Sequence, residues 1–155
     1  MDAITSIAMS IDIPILETIA MAIHNDIFYA LLVIAIAFMG EQRKDKRLKI
    51  AFSLLLTFLL VFGLKELLAV ERPCMDFESC PEDYSFPSMH AAIAFTLMTA
   101  FMNKRSYALY LLFALFVSFT RLNLGVHTFY DIAAALPVAL LSYYLATVVY
   151  EGDSK

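Results

Sequence analysis

No lysine or arginine occurs before Arg43, so the N-terminus carries no basic n-region and does not read as a secretory signal peptide. There is no Gly/Ser-rich linker, no internal repeat and no low-complexity tract, so nothing divides the 155 residues into separate units, and one domain over 1–155 is expected. Cysteine is nearly absent. The two that occur, Cys74 and Cys80, fall in one short polar stretch, too few to build a disulfide scaffold or, by themselves, a metal site. Charged residues are also sparse at 17%, against 61% hydrophobic, and mean hydropathy is +0.75. A chain this apolar does not read as a soluble domain or a nucleic-acid binder.

What is present is a series of apolar runs between short charged clusters. The segments 48–70, 88–102, 106–122 and 127–149 are long enough, or nearly so, to cross a bilayer as helices, which takes about twenty residues. The run 27–39 is short and spans only if extended backward through His24, Asn25 and Asp26. Residues 1–24 are weakly amphipathic, with Asp2, Asp12, Pro14 and Glu17. They suit a short helix lying in the membrane interface, with Pro14 in a first turn capped by Asp12. The alternative is a tilted first span from about residue 13 to 39. The fold expected is therefore an all-α integral membrane bundle of about five transmembrane helices plus a short N-terminal interfacial helix. His24 reads as an interfacial residue, and the tyrosines at 107, 110, 143, 144 and 150 as interface and packing residues.

The basic residues orient the bundle. Seven of eleven lie in the loops 40–49 and 103–106, which five alternating spans place on one side, with Lys155. By the positive-inside rule that side is cytoplasmic. Lys65, Arg72 and Arg121 remain for the other face, and topology does not require them there.

At that face three clusters converge. In Lys65–Pro73 (KELLAVERP), Lys65 and Arg72 are seven apart, two helical turns, so both are expected to point to one side. Buried like charges repel unless an anion lies between them, and phosphate is the obvious candidate. In Phe86–His90 (FPSMH), Ser88 is a candidate N-cap, the amides after it form an anion site, and His90 in the first turn can donate a proton. In Thr120–Asp131 (TRLNLGVHTFYD), His127 and Asp131 are four apart and meet on a helix face. A carboxylate that fixes one imidazole N–H leaves the other nitrogen free as a base or nucleophile. Arg121 adds a planar fork suited to phosphate oxygens.

These stretches resemble the three signature motifs of the type-2 phosphatidic acid phosphatase superfamily, K-x6-RP, PSGH and SR-x5-H-x3-D, in order and with matching internal spacing. Met89 stands where glycine is usual, and Thr120 where serine is usual. The resemblance implies His127 as the nucleophile, forming a phosphohistidine, with Asp131 orienting its ring. It implies His90 as the acid that protonates the leaving oxygen and then activates water. Lys65, Arg72, Arg121, the Ser88 hydroxyl and the Met89 amide would bind the phosphate oxygens. No metal or other cofactor is expected. The implied substrate is a membrane lipid phosphate or diphosphate, such as polyprenyl diphosphate, phosphatidic acid or phosphatidylglycerophosphate. Neither nucleic acid nor an obligatory protein partner is implied. The expected setting is the plasma membrane of a prokaryote, with the site facing outside. There, Cys74 and Cys80 would be free to form a disulfide that stiffens the loop. The rival readings are a lipid phosphotransferase of the same chemistry and a non-catalytic lipid-binding or scaffold protein.

Overall fold

The computed structural model describes residues 1–74 and 80–152. Asp76 and Glu78, part of the expected acidic loop, and Lys155, expected with the basic loops, lie outside the described residues. Every regular element among the described residues is helical: α1 Ala3–Met9, α2 Pro14–His24, α3 Asp26–Gly40, α4 Lys44–Leu68, α5 Met89–Ala100, α6 Tyr107–Asn123 and α7 Phe129–Gly152. The helices α3 to α7 correspond to the five expected apolar runs. Among the described residues, α4 and α7 are the helices long and apolar enough to cross a membrane alone, while α3, α5 and α6 are shorter apolar helices.

The N-terminal segment differs from the expectation. It forms two helices at 113° to one another rather than one. Asp2 caps α1 by accepting the Thr5 amide at 2.9 Å. Pro14 does open α2, but Ile13, not Asp12, occupies the N-cap and makes no side-chain bond. Continuity from residue 13 to 39 is broken at Asn25, whose extended backbone ends α2 and whose side chain caps α3 through the Phe28 amide at 2.9 Å.

The centre of the bundle is α5. Eight of its residues are buried, and it packs on α4, α6 and α7. Alanines at 91, 92 and 94 let backbones approach closely, as in helix pairs packed within lipid. Its two buried central threonines are satisfied: Thr96 pairs with Thr57 of α4 at 2.7 Å, and Thr99 Oγ1 donates to the Phe95 carbonyl at 2.8 Å. In contrast, α4 and α7 turn Phe58, Phe62, Leu141 and Val148 outward, a surface suited to lipid.

Because successive helices alternate in direction, both basic loops lie at one end of the bundle. Glu41 joins them, accepting the Arg43 amide at 3.1 Å and Lys104 Nζ at 3.0 Å. These donors outweigh burial and pull its carboxyl down to about 2. The opposite end gathers the C-termini of α2, α4 and α6 and the N-termini of α3, α5 and α7.

The turn from α6 to α7 shapes that second end. Gly125 follows the α6 C-cap, Leu124, at φ +65°, the left-handed conformation in which helices commonly stop. A Cβ there would lie 2.8 Å from Met9 Cε of α1. Gly125→Ala should therefore lower stability by about 1 kcal/mol through the strained φ, since the flexible Met9 side chain can swing aside. It should also lower turnover by shifting Val126 and His127. Thermal unfolding in detergent, set beside phosphate release, checks both. An unchanged melting temperature would refute the account.

Candidate active site

Lys65 lies in the last full turn of α4 and is buried. The helix stops before Arg72, contrary to the simple two-turn picture. Ala69 adopts a left-handed conformation at φ 48°, and the residue before a proline disfavours α geometry. The two cations still converge, but on a residue not picked out in the sequence. Asp83 accepts Lys65 Nζ at 2.7 Å and Arg72 Nη2 at 2.6 Å. Arg72 Nε adds a bond to the Asp83 carbonyl at 2.8 Å, and Lys65 Nζ also donates to the Tyr84 carbonyl. Burial alone would raise the Asp83 carboxyl, but the Lys65 hydrogen bond and the Arg72 charge hold it below its ordinary value of 3.8. The expected anion between the cations is thus supplied by the chain.

The remaining nitrogen of Arg72 faces His127. Arg72 Nη1 donates to the Val126 carbonyl at 2.9 Å and stands 3.2 Å from His127 Nε2. A guanidinium only donates, so Nε2 carries the lone pair and the ring proton sits on Nδ1. Nδ1 faces Asp131 Oδ2 at 3.4 Å, a long contact rather than a tight hydrogen bond. Burial keeps the His127 imidazole down at about 4, so the ring is neutral near pH 7.

His127 was expected at the start of the last helix, but it precedes it. Thr128 and Asp131 form a reciprocal cap instead: Asp131 Oδ2 accepts the Thr128 amide at 2.7 Å, and the Asp131 amide approaches Thr128 Oγ1 at 3.4 Å. Ser85 Oγ donates to the same carboxylate oxygen at 2.7 Å. Asp131 therefore faces the ring, starts α7 and ties down the loop before α5.

Ser88 is the N-cap of α5 as expected, but makes no side-chain capping bond. Its hydroxyl is buried without a partner among the described residues. His90, in the first turn, lies against Tyr29 with ring centroids 4.5 Å apart, while Tyr29 Oη donates to the His90 carbonyl at 2.7 Å. His90 Nε2 has no hydrogen bond and is 3.6 Å from the exposed Asp26 carboxylate. Arg121, almost fully buried, reaches from α6 to α2: Nη1 stands 3.1 Å from His24 Nδ1, and Nη2 donates to the Ala20 carbonyl at 3.0 Å.

His24 is thus a further site residue that its place in the sequence concealed. It lies about a hundred residues from Arg121, and only the packing of α2 on α6 joins them. Asp83 was concealed for the same reason, as one of several acidic residues in a polar loop.

A cavity of about 670 Å³ unites these groups. Lys65, Arg72, Asp83, His90, Arg121 and His127 line its polar end, with Met89 at the rim of α5. The rest runs between α3 and α4 along Val33, Ile34, Leu54, Phe58 and Phe62. Cys74 and Cys80, beside this end, are joined as a disulfide with Cα atoms 5.5 Å apart. Among the described residues no group of three or more His, Cys, Asp or Glu side chains is placed to hold a metal ion.

Two solved structures share this architecture. One is LpxE from Aquifex aeolicus, at TM-score 0.76 and 21% identity, covering 93% of this chain and 92% of that one. The other is a transmembrane PAP2-type phosphatidylglycerolphosphate phosphatase from Bacillus subtilis, at TM-score 0.75 and 24% identity, covering 97% of this chain and 84% of that one. No curated protein matches the chain by sequence. The profile of the PAP2 superfamily matches residues 46–154, from α4 to the end of α7 and across all three motif stretches. The chain belongs to the PAP2 superfamily.

Proposed function

We propose that this protein is a membrane phosphatase that hydrolyses a lipid phosphate or diphosphate through a phosphohistidine on His127. The observation that carries the reading is the lone pair of His127 Nε2, held at 3.2 Å from Arg72 at the polar end of a cavity that continues as an apolar groove. A phosphate placed there meets the nucleophile, while an acyl or prenyl tail lies between α3 and α4.

In the first step the Nε2 lone pair attacks phosphorus in line, an N–P bond forms, and the P–O bond to the lipid breaks. His90 gives its proton to the departing oxygen, and Asp131 stabilises the positive ring of His127. In the second step His90, now neutral, takes a proton from water, whose oxygen attacks phosphorus and breaks the N–P bond. Lys65, Arg72, Arg121, the Ser88 hydroxyl and the Met89 amide bind the equatorial oxygens, whose charge grows at the transition state. None of these steps calls for a metal.

The site faces out of the cytoplasm, since the basic loops occupy the other end. Phosphatidylglycerophosphate, phosphatidic acid and polyprenyl diphosphate all fit a phosphate on an apolar tail. The Cys74–Cys80 bridge suits that oxidising side.

The test is phosphate release by the detergent-purified protein from these three lipids in parallel, with EDTA present. Release from at least one lipid, undiminished by EDTA, is expected, and the preferred lipid identifies the physiological substrate. Release abolished by EDTA and restored by a divalent cation would overturn the metal-independent mechanism. Transfer of the phosphate to an added alcohol with no free phosphate would identify a phosphotransferase instead.

A further inference from the structure

We propose that the Asp83 carboxylate is an internal stand-in for the substrate phosphate, holding Lys65 and Arg72 in the empty site and giving way when phosphate enters. The inference rests on the reading above, in which these two cations bind phosphate oxygens.

Lys65 and Arg72 are almost withdrawn from water, with side-chain exposures of 5% and 6%. Two desolvated like charges directed at one place repel, and an anion between them removes the penalty. Asp83 supplies it with both oxygens, Oδ2 to Lys65 at 2.7 Å and Oδ1 to Arg72 at 2.6 Å. These are the donor lobes that phosphate oxygens would take. A carboxylate and a phosphate cannot share them, because the two anions repel at that distance.

The three groups are unequal in their freedom to move. Asp83 is 54% exposed and lies on a segment without regular secondary structure. Its main chain is nevertheless tethered: Arg72 Nε holds its carbonyl at 2.8 Å, and two residues on the Ser85 amide donates to the Val70 carbonyl at 2.8 Å. Rotation of the side chain alone therefore frees Arg72 Nη2 and one N–H of Lys65 Nζ, which keeps its bond to the Tyr84 carbonyl. The guanidinium stays in place through the Val126 and Asp83 carbonyls. Asp83 so acts as a positioning residue that competes with the ligand it prepares the site for. The prediction is opposite to that for a residue that simply supports the cations.

Orthovanadate, a phosphate analogue, serves as the probe, with its dissociation constant measured on wild type, Asp83→Asn, Glu82→Gln and Arg72→Gln proteins in detergent. If the open arrangement is about a tenth of the empty population, Asp83→Asn binds vanadate about tenfold tighter, since binding no longer draws on that fraction. The empty variant should melt lower than wild type and be raised more by vanadate. Its KM for lipid should fall while kcat changes less. Glu82→Gln removes a neighbouring negative charge and should not tighten binding; equal tightening there would overturn the proposal in favour of a general charge effect. Unchanged or weaker binding in Asp83→Asn, with binding lost in Arg72→Gln, would overturn the stand-in role and leave the phosphate site intact. Binding unaffected by Arg72→Gln would overturn the phosphate-site reading itself. Should the asparagine protein fail to fold, Asp83→Ser, smaller and uncharged, carries the same expectations.

Discussion

Replacing His127 by alanine is expected to lower phosphate release by at least about 10⁴-fold, with KM for the lipid changing far less. The magnitude is that of losing a nucleophile whose partners act as a unit with it. The geometry gives the reason. Nε2 faces Arg72 on one side and Nδ1 faces Asp131 on the other, so the lone pair that would attack phosphorus is held at one point of the cavity. A companion variant separates nucleophile from acid. His90→Ala should slow a lipid ester more than an aryl phosphate, whose leaving oxygen needs no proton. It should also let a covalent phosphoryl label build up when the leaving group is good, because hydrolysis of the intermediate is slowed too. That label should be acid-labile and absent from His127→Ala. Activity in His127→Ala within tenfold of wild type would refute the mechanism, as would a label that survives the loss of His127.

The second large effect is expected at Asp131. Asp131→Asn should lower kcat by about 10²–10⁴-fold and stability by about 1–3 kcal/mol. One carboxylate oxygen accepts the Ser85 hydroxyl at 2.7 Å and the Thr128 amide at 2.7 Å, and faces His127 Nδ1 at 3.4 Å. An amide supplies one accepting oxygen without charge. If that oxygen keeps Ser85 and Thr128, the loop and the helix start survive, but the positive ring formed on attack loses its counter-charge. If the NH₂ group turns toward His127, Nδ1 must accept, the proton moves to Nε2, and the nucleophile is lost. Both routes lower kcat more than they raise KM. Single-turnover kinetics and a denaturation curve in the same detergent separate chemistry from folding. A stable variant with wild-type kcat would show that Asp131 serves only as a cap.

Sequence alone carried a good deal of this protein, for physical reasons that can be traced. Apolar runs at 48–70 and 127–149 are legible because lipid requires a helix to satisfy its own backbone and present apolar side chains all round. The observed helices Lys44–Leu68 and Phe129–Gly152 follow them closely. The motif spacings are legible because they are local. Ser88 and His90 share the first turn of a helix, and His127 meets Asp131 across four residues whether or not the helix has begun. Helix alternation then brings Lys65, Arg72, Ser88, His90, Arg121, His127 and Asp131 to one end.

Tertiary structure decided what depends on contacts between distant segments. The break at Asn25 and the 113° bend before it fold the N-terminal helices back on α6, so His24 arrives beside Arg121. No periodicity in residues 1–24 encodes that meeting. Asp83 is one carboxylate in an acidic loop, and its sequence neighbours do not reveal that it lies between Lys65 and Arg72. That arrangement depends on the left-handed Ala69, which ends α4 and turns Arg72 back over the site. The groove beside His127 likewise exists only because α3 and α4 stand apart above a closely packed α5. Local chemistry is written in short spacings along the chain. The counter-charges and the space around that chemistry are set by which elements pack together, and for a chain of this hydropathy that is settled by burial and charge pairing across the bundle.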